Sequence, residues 1–162
     1  MKTFEINMKQ YINKPIEVVF EFFSKPENLE VITPESLSFN ILTPIPIRME
    51  KGGLIDYTIS LFGISIHWRT LITDYEPPFR FVDQQIKGPY AFWHHTHTFQ
   101  SVEGGVEIID SVKYSLPFGW LGILAHSIWV RNNLERIFEH RKAVIQNYFE
   151  IINISTERMA RS

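Results

Sequence analysis

From residue 34 to about residue 116 the chain is punctuated by turn chemistry. The clusters "PIP", "EKGG", "FG", "EPP", "KGP" and "EGG" separate segments of roughly eight to twelve residues. Proline lacks the N–H that a ladder needs and glycine weakens a strand interior, so each cluster ends one extended segment and starts another. Connections this short suit antiparallel neighbours, and they count out about six strands. Ahead of them Phe4, Ile6, Met8 and Ile12 alternate with Glu5, Asn7 and Lys9, the pattern of a half-buried first strand. Next, Ile16, Val19, Phe20 and Phe23 fall at helical spacing behind Pro15, and "KPENLEVITPE" supplies a second short helix ending near Pro34. From Phe118 to Glu150 the period is helical again: Leu134, Ile137, Phe138, Arg141, Ile145, Tyr148 and Phe149 follow steps of three and four. The expected fold is therefore α+β, a seven-stranded curved antiparallel sheet whose apolar face is covered by one long C-terminal helix. It is expected to be a single domain over residues 1–162, with a core over about 3–150 and a polar, fraying tail over 151–162.

Composition narrows the function. The chain has 162 residues, a net charge of −2 and scattered Lys and Arg, which leaves no electrostatic footprint for nucleic acid. With no cysteine there are no disulfides, thiolate metal sites or Cys nucleophiles, which suits a cytoplasmic protein. The longest apolar run, "GWLGILAHSIWV", is too short for a membrane span of roughly 20 residues. Neither a "GxSxG" elbow nor a phosphate-cradling or dinucleotide glycine loop is present. Aromatic residues are abundant at 14%, with 13 Phe, which favours a large core or an aromatic-lined cavity.

The segments "INKPIEVVFEFFSKPENLEVITP", "PPFRFVDQQIKGPYAFWHHTHTF", "GGVEIIDSVKYSLPFG" and "IFEHR" resemble the START and Bet v 1-like superfamily (SRPBCC), including its polyketide cyclase/dehydrase group, over about residues 3 to 150. The resemblance implies a helix-grip fold and a bacterial ligand-binding subgroup of unassigned role. Fold alone does not imply function.

Half of the six histidines lie in "WHHTH", so their facing matters. If Gly104-Gly105 is a two-residue hairpin turn, Phe99 lies opposite Asp110, His97 opposite Val112, His95 opposite Tyr114 and Trp93 opposite Leu116. Directly opposed residues share a face. That face is aromatic and the other, with His94, Thr96 and Thr98, is wet, so His95 and His97 point inward and His94 outward. In the preceding hairpin, keeping Phe81 inward sets Asp83 near His95 and Gln85 near Trp93. In "HWRT", Trp68 and His67 take opposite faces, with Trp68 as the inward aromatic.

The expected ligand-binding wall is thus Trp93, His95, His97, Tyr114, Asp83, Gln85 and Trp68. Two imidazoles and a carboxylate fall short of a full ligand set, so no metal and no cofactor is expected. Arg141 sits on the apolar helix stripe and needs an acidic partner there, Asp110 or Asp83, or else snorkels to the helix edge; a pair would make Asp110 and Arg141 structural. The leading expectation is binding of a lipophilic or aromatic small molecule between sheet and helix. A cyclase/dehydratase-type enzyme is the alternative, with His95 or His97 moving a proton and Asp110 or Tyr114 assisting. A third is a protein-interaction module using Trp120, Leu121 and Trp129 as an apolar patch, although these residues are expected rather to cap the pocket or pack on the sheet.

Overall fold

The computed structural model describes residues 1–161. Strand β1 (Phe4–Ile12) is followed by helices α1 (Ile16–Phe23) and α2 (Asn28–Ile32) and a single 3₁₀ turn, Glu35–Leu37. Strands β2 (Asn40–Ile41), β3 (Leu54–Leu61), β4 (Ile64–Glu76), β5 (Arg80–Lys87), β6 (Phe92–Val102) and β7 (Gly105–Ser115) come next. The chain ends in a helical rod: α3 (Trp120–Ala125), one π-helical turn (His126–Val130) and α4 (Arg131–Ala160). All seven strands form one antiparallel sheet in the order β1-β7-β6-β5-β4-β3-β2. This is the helix-grip architecture expected from the sequence. The helix differs at its end, where it continues to Ala160 instead of fraying past Glu150. Its outer turns carry mostly exposed side chains, with Ile152 packed against the core.

Two apolar clusters join sheet to helix. Val19, Phe20, Phe22 and Phe23 of α1 meet Phe81, Phe99, Ile145 and Phe149 at one end. At the other, Trp68, Trp93, Val112 and Tyr114 meet Val130, Leu134 and Phe138. The alternation on β6 leaves Trp93, His95, His97 and Phe99 buried and their neighbours partly exposed, so His95 and His97 face the helix and His94 the outside. No helix among the described residues is long and apolar enough to cross a membrane.

The β6–β7 hairpin departs from the expected register. Val102 pairs with Gly105, so the turn is Glu103-Gly104, with Gly104 at φ +79°. Gly105 is the first strand residue, and a Cβ there would run into the Ile12 carbonyl of β1. The second glycine therefore serves a close approach between strands. As a result His97 lies opposite Asp110, His95 opposite Val112 and Trp93 opposite Tyr114. Every residue is displaced by two positions, which preserves its face.

Candidate functional site

Three adjacent strands supply a buried group of four. On β5 and β6, Asp83 lies opposite His95 and Phe81 opposite His97, as expected. On β6 and β7, Asp110 lies opposite His97. Each carboxylate hydrogen-bonds the histidine diagonal to it: His95 Nε2 is 2.9 Å from Asp110 Oδ1, and His97 Nε2 is 2.9 Å from Asp83 Oδ2. The second nitrogens point back across the group. His97 Nδ1 is 2.7 Å from Asp110 Oδ1 without the alignment of a hydrogen bond, and His95 Nδ1 is 3.6 Å from Asp83 Oδ2. One oxygen of each carboxylate thus serves both rings, and the rings lie face to face with centroids 3.7 Å apart. Phe81 stacks on His97 at 4.1 Å, and Phe138 of α4 meets His95 edge-on.

Charge is distributed unevenly in this quartet. Burial alone would lift the pKa of Asp110, but His97 and His95 outweigh it and hold Asp110 well below the usual carboxylate range; Asp83 is lowered by the same opposition. Burial pulls His97 down, yet Asp110 and Asp83 prevail and its pKa is raised. In His95 burial wins, helped by His97, and the pKa is lowered. The two carboxylates are thus held ionised, and of the two rings His97 is the one whose protonated form is favoured and His95 the one whose neutral form is favoured.

Asp83, His95 and His97 place ligand atoms within 4.8 Å of one another, a tighter gathering of metal-ligand types than the strand spacing suggested. A cation chelated by two imidazoles lies in the plane of both rings. These rings lie one over the other, tilted by 35°, and each Nε2 is already hydrogen-bonded to a carboxylate oxygen.

Beside the quartet lie two adjoining cavities, about 130 Å³ and about 240 Å³ in volume. Asp83, His95 and His97 line the smaller; Phe39, Ile59, Leu61, Leu134 and Phe138 are among the walls of the larger. Leu29, Tyr57, Trp68, Trp93 and Arg141 line both and form a waist between them. Tyr57 and Trp68 are cross-strand neighbours on β3 and β4 with stacked rings, and Trp68 meets Trp93 edge-on at 5.4 Å. The opposite face of β4 holds His67, paired with Asp56.

Other expected members sit elsewhere. Tyr114 is fully buried but lines neither cavity; its hydroxyl bonds His126 Nε2 at 2.9 Å. Gln85 also lines neither, because its carboxamide closes the β5–β6 loop: Nε2 donates to the Tyr90 carbonyl at 2.8 Å and Oε1 accepts from the Tyr90 amide. Arg141 forms no ion pair within 4.0 Å among the described residues. It pairs with neither Asp110 nor Asp83; partly exposed, its guanidinium lies over the Phe138 ring, and the residue borders both cavities. Of Trp120, Leu121 and Trp129, Trp129 lines the larger cavity and touches Phe62, whereas Trp120 is 72% and Leu121 52% exposed and neither lines it. The sequence reading missed Tyr57, whose alternating strand position was its signal, and His126, a lone histidine in an apolar run.

No family model and no curated protein matches this sequence. Solved structures do match. Protein CV1439 from Chromobacterium violaceum superposes with a TM-score of 0.70 at 15% identity, covering 90% of this chain and 97% of that one. TTHA0849 from Thermus thermophilus gives 0.66 at 16%, covering 93% and 98%. Ginseng major latex-like protein 151 from Panax ginseng gives 0.66 at 12%, covering 91% and 97%. At these identities the likeness is one of fold, and the fold is Bet v 1-like.

Proposed function

We propose that the protein binds a lipophilic or aromatic small molecule in the two-lobed cavity between the concave sheet and α4. The observation that carries this reading is the cavity itself: largely apolar walls with a few polar groups, Arg141 where the lobes meet and Asp83, His95 and His97 in the smaller one, the usual make-up of a small-molecule site. Trp68 and Trp93 supply flat aromatic surface at the waist, and Asp83, His95 and His97 of the quartet supply a polar floor for the smaller lobe.

Proton-transfer catalysis by His95 or His97 is the weaker reading. A general base needs a lone pair free to meet substrate. Here both nitrogens of each ring lie within 3.6 Å of a carboxylate, so a reacting proton would have to compete with the quartet.

The test uses the neutral fluorophore Nile red. One equivalent should bind with a blue-shifted emission, and Ile137→Trp, which projects an indole into the larger lobe from α4, should abolish it while the circular dichroism of the fold is retained. Unchanged binding in a folded Ile137→Trp protein would place the dye elsewhere and defeat the proposal.

A further inference from the structure

Arg141 occupies the sheet-facing stripe of α4 between Phe138 and Ile145, both buried, at a position where an apolar residue would complete the core. Its guanidinium has five donors and no carboxylate within 4.0 Å among the described residues. An unpaired charge held against apolar walls is costly, and a positioned guanidinium is therefore a site that wants an anion. Arg141 is also the sole formally charged residue lining the larger lobe, and it stands where that lobe meets the smaller one. A second donor waits at the same waist: the indole Nε1 of Trp68 is buried, and nothing among the described residues accepts its hydrogen bond.

We infer that Arg141 is the head-group anchor of this cavity and that the ligand is an amphipathic monocarboxylic acid, its carboxylate on the guanidinium and its apolar body in the larger lobe. The inference rests on the binding function proposed above. The planar fork of Arg matches a carboxylate with two parallel hydrogen bonds. Single charge follows from the larger lobe, where Arg141 is the one formal charge among the described residues; Asp83, with Lys25, borders the smaller lobe, and Asp110, with Lys9 and Lys142, shares a small crevice with Arg141. A dianionic head such as a phosphate monoester would face both carboxylates. The body points to the larger lobe because its walls include Phe39, Ile59, Leu61 and Leu134, whereas Lys25, Asp83, His95 and His97 line the smaller one.

The experiment measures displacement of Nile red from the full chain at pH 8 by three probes of equal length: dodecanoate, dodecan-1-ol and dodecyl phosphate. Dodecanoate should bind more tightly than the alcohol by on the order of ten- to a hundredfold, the range of charge-assisted hydrogen bonds. Arg141→Met should weaken dodecanoate by at least tenfold more than it changes dodecan-1-ol and so erase the preference, and Arg141→Lys should keep a reduced one. If Arg141→Met does not fold, the wild-type comparison and Arg141→Lys still decide. Equal affinity for acid and alcohol, a preference that survives in Arg141→Met, or tighter binding of dodecyl phosphate than dodecanoate overturns the inference while leaving the cavity a binding site. Failure of the dye and all three probes to bind the folded chain overturns both.

Discussion

Asp110→Asn should be among the most damaging conservative changes in this protein, although it alters one atom type and almost no volume. Asp110 Oδ1 meets His95 Nε2 at 2.9 Å and His97 Nδ1 at 2.7 Å, with the histidine side chains only 4% and 5% exposed. Asparagine can still accept the His95 hydrogen bond, but the His97 imidazolium loses its nearest counter-charge in a dry environment. Removing one partner from a buried charged group costs about 3–5 kcal/mol. For a chain of this size that lowers the unfolding midpoint by about 6–20 °C. The exposed pair Lys9–Glu107, 3.3 Å apart, provides the control: Lys9→Gln should cost less than about 1 kcal/mol. Urea unfolding at pH 6 and at pH 9, with the slope compared, reads both. The pKa of His97 is raised, so its attraction to Asp110 is complete below the unfolded value near 6.5 and disappears as pH rises through the folded value. The Asp110→Asn penalty should therefore be larger at pH 6 than at pH 9. A penalty no greater than that of Lys9→Gln, or one that grows with pH, refutes the charged quartet.

Two further outcomes are expected. In histidine ring NMR, His97 should remain protonated above pH 6.5 and His95 remain neutral below it; because the lowered pKa of His95 makes the native state refuse a proton that the unfolded chain accepts, His95 should weaken stability as pH falls below about 6.5. Rings titrating in the opposite order would contradict the assigned charges. Gly105→Ala forces a Cβ onto the Ile12 carbonyl and should cost about 1–3 kcal/mol in equilibrium unfolding, with a loss below 0.5 kcal/mol telling against the close approach of β1 and β7.

Strand facing was legible because side-chain direction repeats every two residues. The expected β6–β7 register was displaced by two positions, and His95, His97, Trp93 and Asp110 nevertheless all kept their faces. What that displacement changed was partnership. Asp110 is expected against Phe99 and stands against His97, so the sequence brings His95, His97 and Asp110 to one wall, with Asp83 near His95, but not the pairing that joins them into a quartet. The misleading signal was Gly105, a glycine required by packing against Ile12 and indistinguishable in sequence from one required by a turn. Gln85 failed for a related reason. Its facing followed from alternation, but the demand of the Tyr90 backbone for a partner depends on the path of the loop.

The waist was harder to see, because it depends on the sheet's curvature and on the phase of the helix. Tyr57 and Trp68 reach Trp93 from strands on the far side of β5, and nothing in strand periodicity reports how strongly a sheet bends. On the helical rod, Gly122, His126, Val130, Leu134 and Phe138 are all buried at steps of four residues. In an uninterrupted α-helix such a row drifts around the axis by about 40° per step, enough to turn one end of it away from the sheet. The π-helical turn at His126–Val130 takes up part of that drift, since its wider turn brings residues four to five apart into line. It thereby lets His126 reach Tyr114 at one end while Phe138 still lies over His95 and Arg141 over the waist. A single inserted turn thus sets the rotation of everything downstream. The head-group position of Arg141 depends on it as much as on the residue's own place in the stripe.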